Sequence, residues 1–206
     1  MYIENLISAV FMVAALFSAP SHATVITSSA DSALTGATVI DFDTQTLGSY
    51  TDLAIGDVTF SSAGTGTLDI ENYANGGVYG TSGLDLSTQN AAGSFDINFG
   101  TAVSAFGMIW GAADVAWNMY LYDANNALIE SIAVAAQVSP YIGYIGAGNN
   151  AGIARVELRA VEGFADWVKI DNFAYVVPSN VPEASILSML GIGLLLTGFT
   201  RKRNAA

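Results

Sequence analysis

Between Thr24 and Val177 the chain is written in short segments that alternate apolar and polar residues at every second position. Nowhere in this stretch does an apolar stripe recur at the helical period. Period 2 matches a pleated strand, whose successive side chains point to opposite faces, so it demands a sheet with one buried side. Asp57–Ser61, Gly66–Asn72 and Ser94–Phe99 carry it most clearly, and Thr38–Phe42 opens another strand. Ala102–Trp110 reads as a more buried strand. In Trp117–Tyr122 the residues Trp117, Met119 and Leu121 share one face and Tyr120 and Tyr122 the other. Leu128–Val134 follows across Asp123-Ala124-Asn125-Asn126, whose Asp and Asn tolerate left-handed backbone; this is the clearest hairpin of the chain. Tyr141–Ile145, Ile153–Arg159 and Trp167–Val177 complete about ten strands by the strand-and-turn spacing of sandwiches. The expected fold is all-β, a β-sandwich over residues 24–177, with a jelly roll as the preferred arrangement.

The two ends differ from this middle. Leu6–Phe17 is an uncharged run of 12 residues, the length of a signal-peptide core and too short to span a bilayer. Ser21-His22-Ala23 follows with small residues at the positions a signal peptidase reads, so cleavage is expected after Ala23 and residues 1–23 read as a signal peptide. The leader lacks a basic residue and carries Glu4. At the other end, Ala184–Thr200 is 17 uncharged residues, the short limit for a membrane-spanning helix, and Arg201-Lys202-Arg203 stands directly behind it. A basic cluster in that place stays cytoplasmic, which sets the domain outside the inner membrane.

Val181-Pro182-Glu183 immediately precedes the apolar run. The order of Pro-Glu motif, short apolar helix and Arg201-Lys202-Arg203 cluster resembles the PEP-CTERM sorting signal of Gram-negative bacteria. Ala184 stands where that motif usually has a second Pro. The resemblance covers residues 181–206. It implies recognition and cleavage by a membrane protease, exosortase, and sorting to the cell surface or extracellular matrix, often in bacteria that make exopolysaccharide. Two further phrases, Gly56-Asp57-Val58-Thr59-Phe60-Ser61 and Ile170-Asp171-Asn172-Phe173, resemble strands of PEP-CTERM surface proteins, the second also a closing strand of lectin-like jelly rolls. The implied organisation is a signal peptide (1–23), an acidic β domain (24–177), and a linker, sorting motif, helix and basic tail (178–206). The implied partners are signal peptidase, an exosortase-like protease and the inner membrane.

Charge and composition narrow the chemistry. The chain carries a net charge of −12, and 16 of its 18 acidic residues fall within 24–180 against three basic ones, Arg155, Arg159 and Lys169. Such a surface repels phosphate backbones, so nucleic acid is excluded as a partner, and it attracts divalent cations. There is no cysteine, and the single histidine, His22, lies in the segment expected to be removed. Ser-His-Asp and Cys-His catalysis and thiolate or imidazole zinc sites are therefore excluded from the mature chain. Oxygen ligands remain. Asp41 and Asp43 at i and i+2 share one strand side, and pairing of the first and last strands would bring Asp171 beside them to form a calcium site. The alternatives are solvated carboxylates, or an Asp171 that accepts loop backbone amides. Arg155 and Arg159 share a strand face and either clamp an acidic group or pair with neighbouring carboxylates. Tyr120, Tyr122 and Tyr144 are the aromatic residues best placed to stack on sugar rings.

Three roles fit: a structural or adhesive component of the surface or matrix, a lectin-like module for extracellular polysaccharide, or a glycan-active enzyme using paired carboxylates. The first is the expected one, without catalysis. An exposed aromatic pair beside a groove would favour the second, and convergent carboxylates in a groove the third.

Overall fold

The computed structural model describes residues 22–178 except 64–65, 74–76, 92, 138–141 and 162–165. The run expected as a signal-peptide core, the expected sorting motif at Val181, Pro182 and Glu183, the apolar run behind it and Arg201, Lys202 and Arg203 lie outside the described residues. Among the described residues no helix is long and apolar enough to cross a membrane. Ala23 is described: it is half-buried, its amide donates to Glu130 Oε2 at 2.6 Å, and the next residue opens the first strand.

The architecture is all-β and antiparallel. The strands are β1 (Thr24–Ile26), β2 (Thr38–Ile40), β3 (Gly48–Tyr50), β4 (Asp52–Ile55), β5 (Val58–Ser62), β6 (Thr67–Glu71), β7 (Asp85–Asn90), β8 (Ser94–Gly111), β9 (Trp117–Tyr122), β10 (Leu128–Val134), β11 (Ile142–Ala160) and β12 (Lys169–Val176). A single 3-10 turn, Ser32–Leu34, is described; it is capped by the Asp31 carboxylate, which accepts the Ala33 amide at 2.9 Å.

Two long strands turn one hydrogen-bonded network into two layers. The Phe95 and Trp110 rings lie 6.3 Å apart although both belong to β8. A straight strand would separate them by roughly 50 Å, so β8 folds over on itself. The fold comes at Gly100–Thr101, where both residues are exposed within a run of otherwise buried or half-buried ones. Its partner β11 breaks register at the same level, between Gly148 and Arg155. The first layer runs β10-β9-β11-β8-β5-β4, using Arg155–Ala160 of β11 and Ser94–Phe99 of β8. The second runs β1-β11-β8-β12-β7-β6-β3, using Ile142–Gly148 and Val103–Gly111, and β2 continues the edge beside β12.

The core fills the space between the layers. Val58, Phe60, Phe95, Ile97, Trp117, Leu121 and Leu158 enter from the first layer, and Ile70, Phe106, Trp110, Ile145 and Phe173 from the second. Their rings pack edge-on, Phe60 to Phe173 at 5.1 Å and Trp110 to Trp117 at 5.5 Å, a geometry that adds to the burial of the rings themselves. A smaller apolar cluster of Ile26, Leu34, Ala105 and Ala174 lies on the outside of the second layer, beneath the segment that joins β1 to β2.

Ser94–Phe99 and Ala102–Trp110, expected as two strands, are one bent strand, and Ile153–Arg159 is the far half of a strand that begins at Ile142. β1, β3, β4 and β7 are additional. The first three have at most four residues, too few to show a period, and β7 is polar except for Leu86.

Two outer faces as candidate functional sites

The outer face of the first layer collects what the core rejects. Alternation in β9 buries Trp117, Met119 and Leu121 and turns Asn118, Tyr120 and Tyr122 outward, as expected from the sequence. Register then sets Tyr120 beside Glu157, Glu157 beside Asp96 and Asp96 beside Ser61. The adjacent row holds Tyr122, Arg155, Asn98 and Thr59. The Arg155 guanidinium lies 3.8 Å from the Tyr122 ring centroid, and its Nη1 meets Asp96 Oδ1 at 3.3 Å and Glu157 Oε2 at 3.5 Å. Tyr122 donates its hydroxyl to Glu157 Oε2 at 3.0 Å, and Arg159 pairs with Glu157 as well. The two arginines therefore pair with neighbouring carboxylates.

The Asp123–Asn126 hairpin supplies a third contact. Asp123 Oδ1 accepts the Asn125 and Ala127 amides at 2.8 Å each, which holds its carboxyl below the usual range. The turn sets Asn126 at φ 59°. Its side-chain oxygen accepts Arg155 Nη2 at 2.9 Å and Nε at 3.1 Å. Burial pushes the Asp96 carboxyl up against the opposing pull of Arg155, and burial together with Glu157 pushes the Tyr122 hydroxyl up. Tyr120 is the less covered ring, with the Arg159 guanidinium carbon 5.9 Å from its centroid.

The outer face of the second layer is covered by two segments. One is the β1–β2 connection over Ala105 and Ala174. The other is the β6–β7 loop, seated on residues without side chains: a Cβ on Gly111 would lie 2.2 Å from the Tyr79 carbonyl oxygen. Between them opens a cleft of about 450 Å³ lined by Leu34, Val39, Ile109, Tyr144, Asn172 and Ala174 among others, none of them charged. Tyr144 thus stands apart from Tyr120 and Tyr122, on the opposite side of the molecule. Its ring crosses Gly107, where a Cβ would meet it at 2.7 Å. Its hydroxyl is buried with no hydrogen-bond partner, and burial pushes its pKa up.

The three aspartates expected to share a calcium ion do different work. β2 does pair with β12, Ile40 opposite Phe173, which brings two of them to one loop. Asp43 Oδ1 accepts the Leu84 amide at 2.7 Å, and Asp171 Oδ2 accepts the Ser82 amide at 2.8 Å. Gly83 lies between them at φ +65°, a conformation L residues avoid, and a Cβ there would come within 1.9 Å of Asp43 Oδ1. Asp41 is exposed and accepts the Asp43 amide at 3.2 Å. The carboxylates pin a loop, because backbone amides reach them first. Among the described residues no group of three or more His, Cys, Asp or Glu is placed to hold a metal ion. Asp171 is fully buried, and desolvation raises its pKa to about 6 against the pull of the Ser82 and Asn172 amides.

Sequence reasoning missed a polar cluster behind the same loop. Lys169 and Asp85 are fully buried and form an ion pair at 3.0 Å, with Glu71 on the same ammonium group. The only signal was that Lys169 is one of three basic residues in a domain with 16 acids.

No protein-family model matches this sequence, and the curated proteins give no match. Among solved structures the chain is similar to the K1 cleaved adhesin domain of Lys-gingipain from Porphyromonas gingivalis W83, at 12% identity and TM-score 0.45, over 69% of this chain and 99% of that one. It is similar to a family 6 carbohydrate-binding module at 13% identity and TM-score 0.37, over 68% and 94%. The family 29 module CBM29-2, as its K74A mutant with cellulohexaose, gives 14% and 0.38, over 75% and 91%. Likeness this distant assigns neither a ligand nor a role to this chain.

Proposed function

We propose that this is an exported adhesive protein of the bacterial surface or extracellular matrix. Its C-terminal signal delivers it, and its jelly-roll-like domain holds extracellular polysaccharide without catalysis. The observation that carries the binding reading is the outer face of the first layer. Tyr120 and Tyr122 stand side by side among Asn98, Asn118, Asp96 and Glu157, which pairs apolar ring surface with the donors and acceptors a sugar needs. The delivery reading rests on Pro182-Glu183, the apolar run and Arg201-Lys202-Arg203 in that order.

One experiment tests both halves. The full-length chain and a variant with Pro182 and Glu183 replaced by alanine are expressed in an exosortase-bearing host, and the released protein is presented with that host's exopolysaccharide and a glycan panel. Wild type is expected to leave the membrane and bind one glycan saturably, and the variant to stay in the membrane at full length. Tyr120→Ala is expected to weaken binding at least tenfold. Equal release of both chains overturns the sorting reading. Release without binding to any glycan overturns the polysaccharide reading.

A further inference from the structure

The cluster at Lys169 has the parts of a condensation reaction. Three adjacent strands supply it: Glu71 on β6 stands opposite Asp85 on β7 in register, and Lys169 on β12 is opposite Ser87. Neither Lys169 nor Asp85 is exposed at all, whereas the Glu71 side chain reaches solvent at 28%. Lys169 Nζ lies 3.0 Å from Asp85 Oδ1, contacts Glu71 Oε1, and sits 4.7 Å from the Trp167 ring centroid and 4.8 Å from that of Tyr73. Asp85 Oδ2 accepts the Thr81 hydroxyl at 3.3 Å, which fixes the carboxyl from its other side. A charged pair held in such surroundings carries a large desolvation penalty that its attraction only partly offsets. Converting it into a neutral amide removes both charges.

We propose that Lys169 and Asp85 condense to an intramolecular amide, Nζ to Cγ, with Glu71 carrying the proton. The two carboxyls are driven apart in the sense this needs. Burial raises the Asp85 pKa against the opposing pull of Lys169, which enlarges the share of the neutral acid that acts as the electrophile. At Glu71 burial acts upward, but the hydrogen bond and charge of Lys169, with help from Ser87 and Trp167, hold the pKa below the usual range. Glu71 therefore stays ionised and serves as the base. It takes one proton from the Lys169 ammonium, the freed amine attacks Asp85 Cγ, and the tetrahedral adduct collapses. One hydroxyl of that adduct leaves as water with a proton from the nitrogen. The C–N bond forms, one C–O bond breaks, and nothing is oxidised or reduced. Glu71 then returns its proton to solvent through its exposed edge. Fixing the amine and carboxyl side by side supplies the effective concentration that free groups in water lack. The product staples β12 to β7 covalently, a cross-link available to an exported chain with no cysteine. It stands whether or not the first layer binds glycan.

The test is peptide mapping of the full chain recovered from its host. The chain is digested under denaturing conditions with trypsin and a Glu-specific protease and read by tandem mass spectrometry. The expected result is no cleavage after Lys169 and one branched peptide joining Lys169 to Asp85, lighter than the sum of its parts by one water. In Glu71→Gln the unlinked peptides are expected to return, with the far-ultraviolet circular dichroism of wild type retained. Unlinked Lys169 and Asp85 peptides at full mass in the wild type overturn the proposal. A cross-link that forms equally in Glu71→Gln overturns the role of Glu71. Because the wild-type map decides the linkage, a variant that fails to fold leaves the test intact.

Discussion

The two outer faces of this sandwich solve the same problem in opposite ways. The first layer turns long polar and aromatic side chains outward and lets them satisfy one another, as Arg155 does with Asp96, Glu157, Asn126 and the Tyr122 ring. The second layer turns outward residues too small to satisfy anything, Ala105, Gly107, Gly111, Gly146 and Ala174, and covers them with two segments of its own chain. The first face stays available to a partner. The second is largely covered, with a buried ion pair, Lys169 and Asp85, that reaches solvent through Glu71. Stability should therefore respond steeply to changes on the second face and weakly to changes on the first.

The largest effect is expected where a covering segment meets bare backbone. At Gly111 a Cβ would fall 2.2 Å from the Tyr79 carbonyl oxygen, and backbone cannot swing aside as a flexible side chain can. Gly111→Ala is expected to cost about 2–3 kcal/mol, in the range of overpacked cores. Adding a similar volume on the first face, as in Ser94→Thr, is expected to stay within about 0.5 kcal/mol. Urea unfolding of both variants measures the difference. Equal costs would mean that the loop is not seated on the sheet, and the contrast between the faces would fail.

The second effect is a dependence on pH that belongs to the covered face. Asp171 is buried under the loop it pins, near Asp43 and Asp85, with a pKa of about 6 in the folded state against about 3.9 in an unfolded chain. The folded state binds this proton more tightly, so its presence stabilises. The charge penalty is absent below about pH 4, grows as pH rises, and is complete above about pH 6. Stability is expected to fall by on the order of 2 kcal/mol across that window. Asp171→Asn is expected to flatten the curve, its amide oxygen still accepting the Ser82 N–H. Unfolding free energies at pH 4.5 and 7 check this; an unchanged slope in the variant would move the titration to another group, Asp85 and Asp96 being the others whose pKa burial raises.

How far the sequence reached follows the same division. The first layer was legible because its strands repeat one rule for long enough to show it: Trp117, Met119 and Leu121 in, Tyr120 and Tyr122 out. The Asp123–Asn126 hairpin was legible because its residue types fit only a few backbone shapes. The second layer was less so. In β7, Asp85-Leu86-Ser87-Thr88 carries three polar residues out of four, yet all four residues are buried. They tolerate burial because Asp85 meets Lys169, and Thr88 accepts the Val168 amide while donating to the Asp166 carbonyl. These partners lie some 80 residues away, and no local pattern announces them. The bend of β8 was hidden for a related reason, since Gly100-Thr101 looks like a loop although the strand continues through it. The pairing of β2 with β12 brings Asp43 and Asp171 to one loop. What they would bind depended on the backbone amides of Ser82 and Leu84, which sequence spacing does not report.

The smallest effect concerns the open face and bears on its use. Arg155 stands at the centre of its network, a position that suggests a structural role. Its side chain is 24% exposed, however, and Asp96 is 31% exposed, so solvent screens the pair and competes for both charges. Ion pairs of this kind contribute about 0.2–1 kcal/mol, and the stacking on Tyr122 adds about 0.5–1 kcal/mol. Arg155→Ala is expected to cost about 1 kcal/mol in low salt and less in high salt. Gly111→Ala should show no such salt dependence, because its cost is steric. A loss above about 2 kcal/mol that ignores salt would place Arg155 among the covered groups. The face would then be a built part of the fold. With the small, screened cost, its charges and rings are held in place at little expense to the core, and they can rearrange without unfolding the layer beneath.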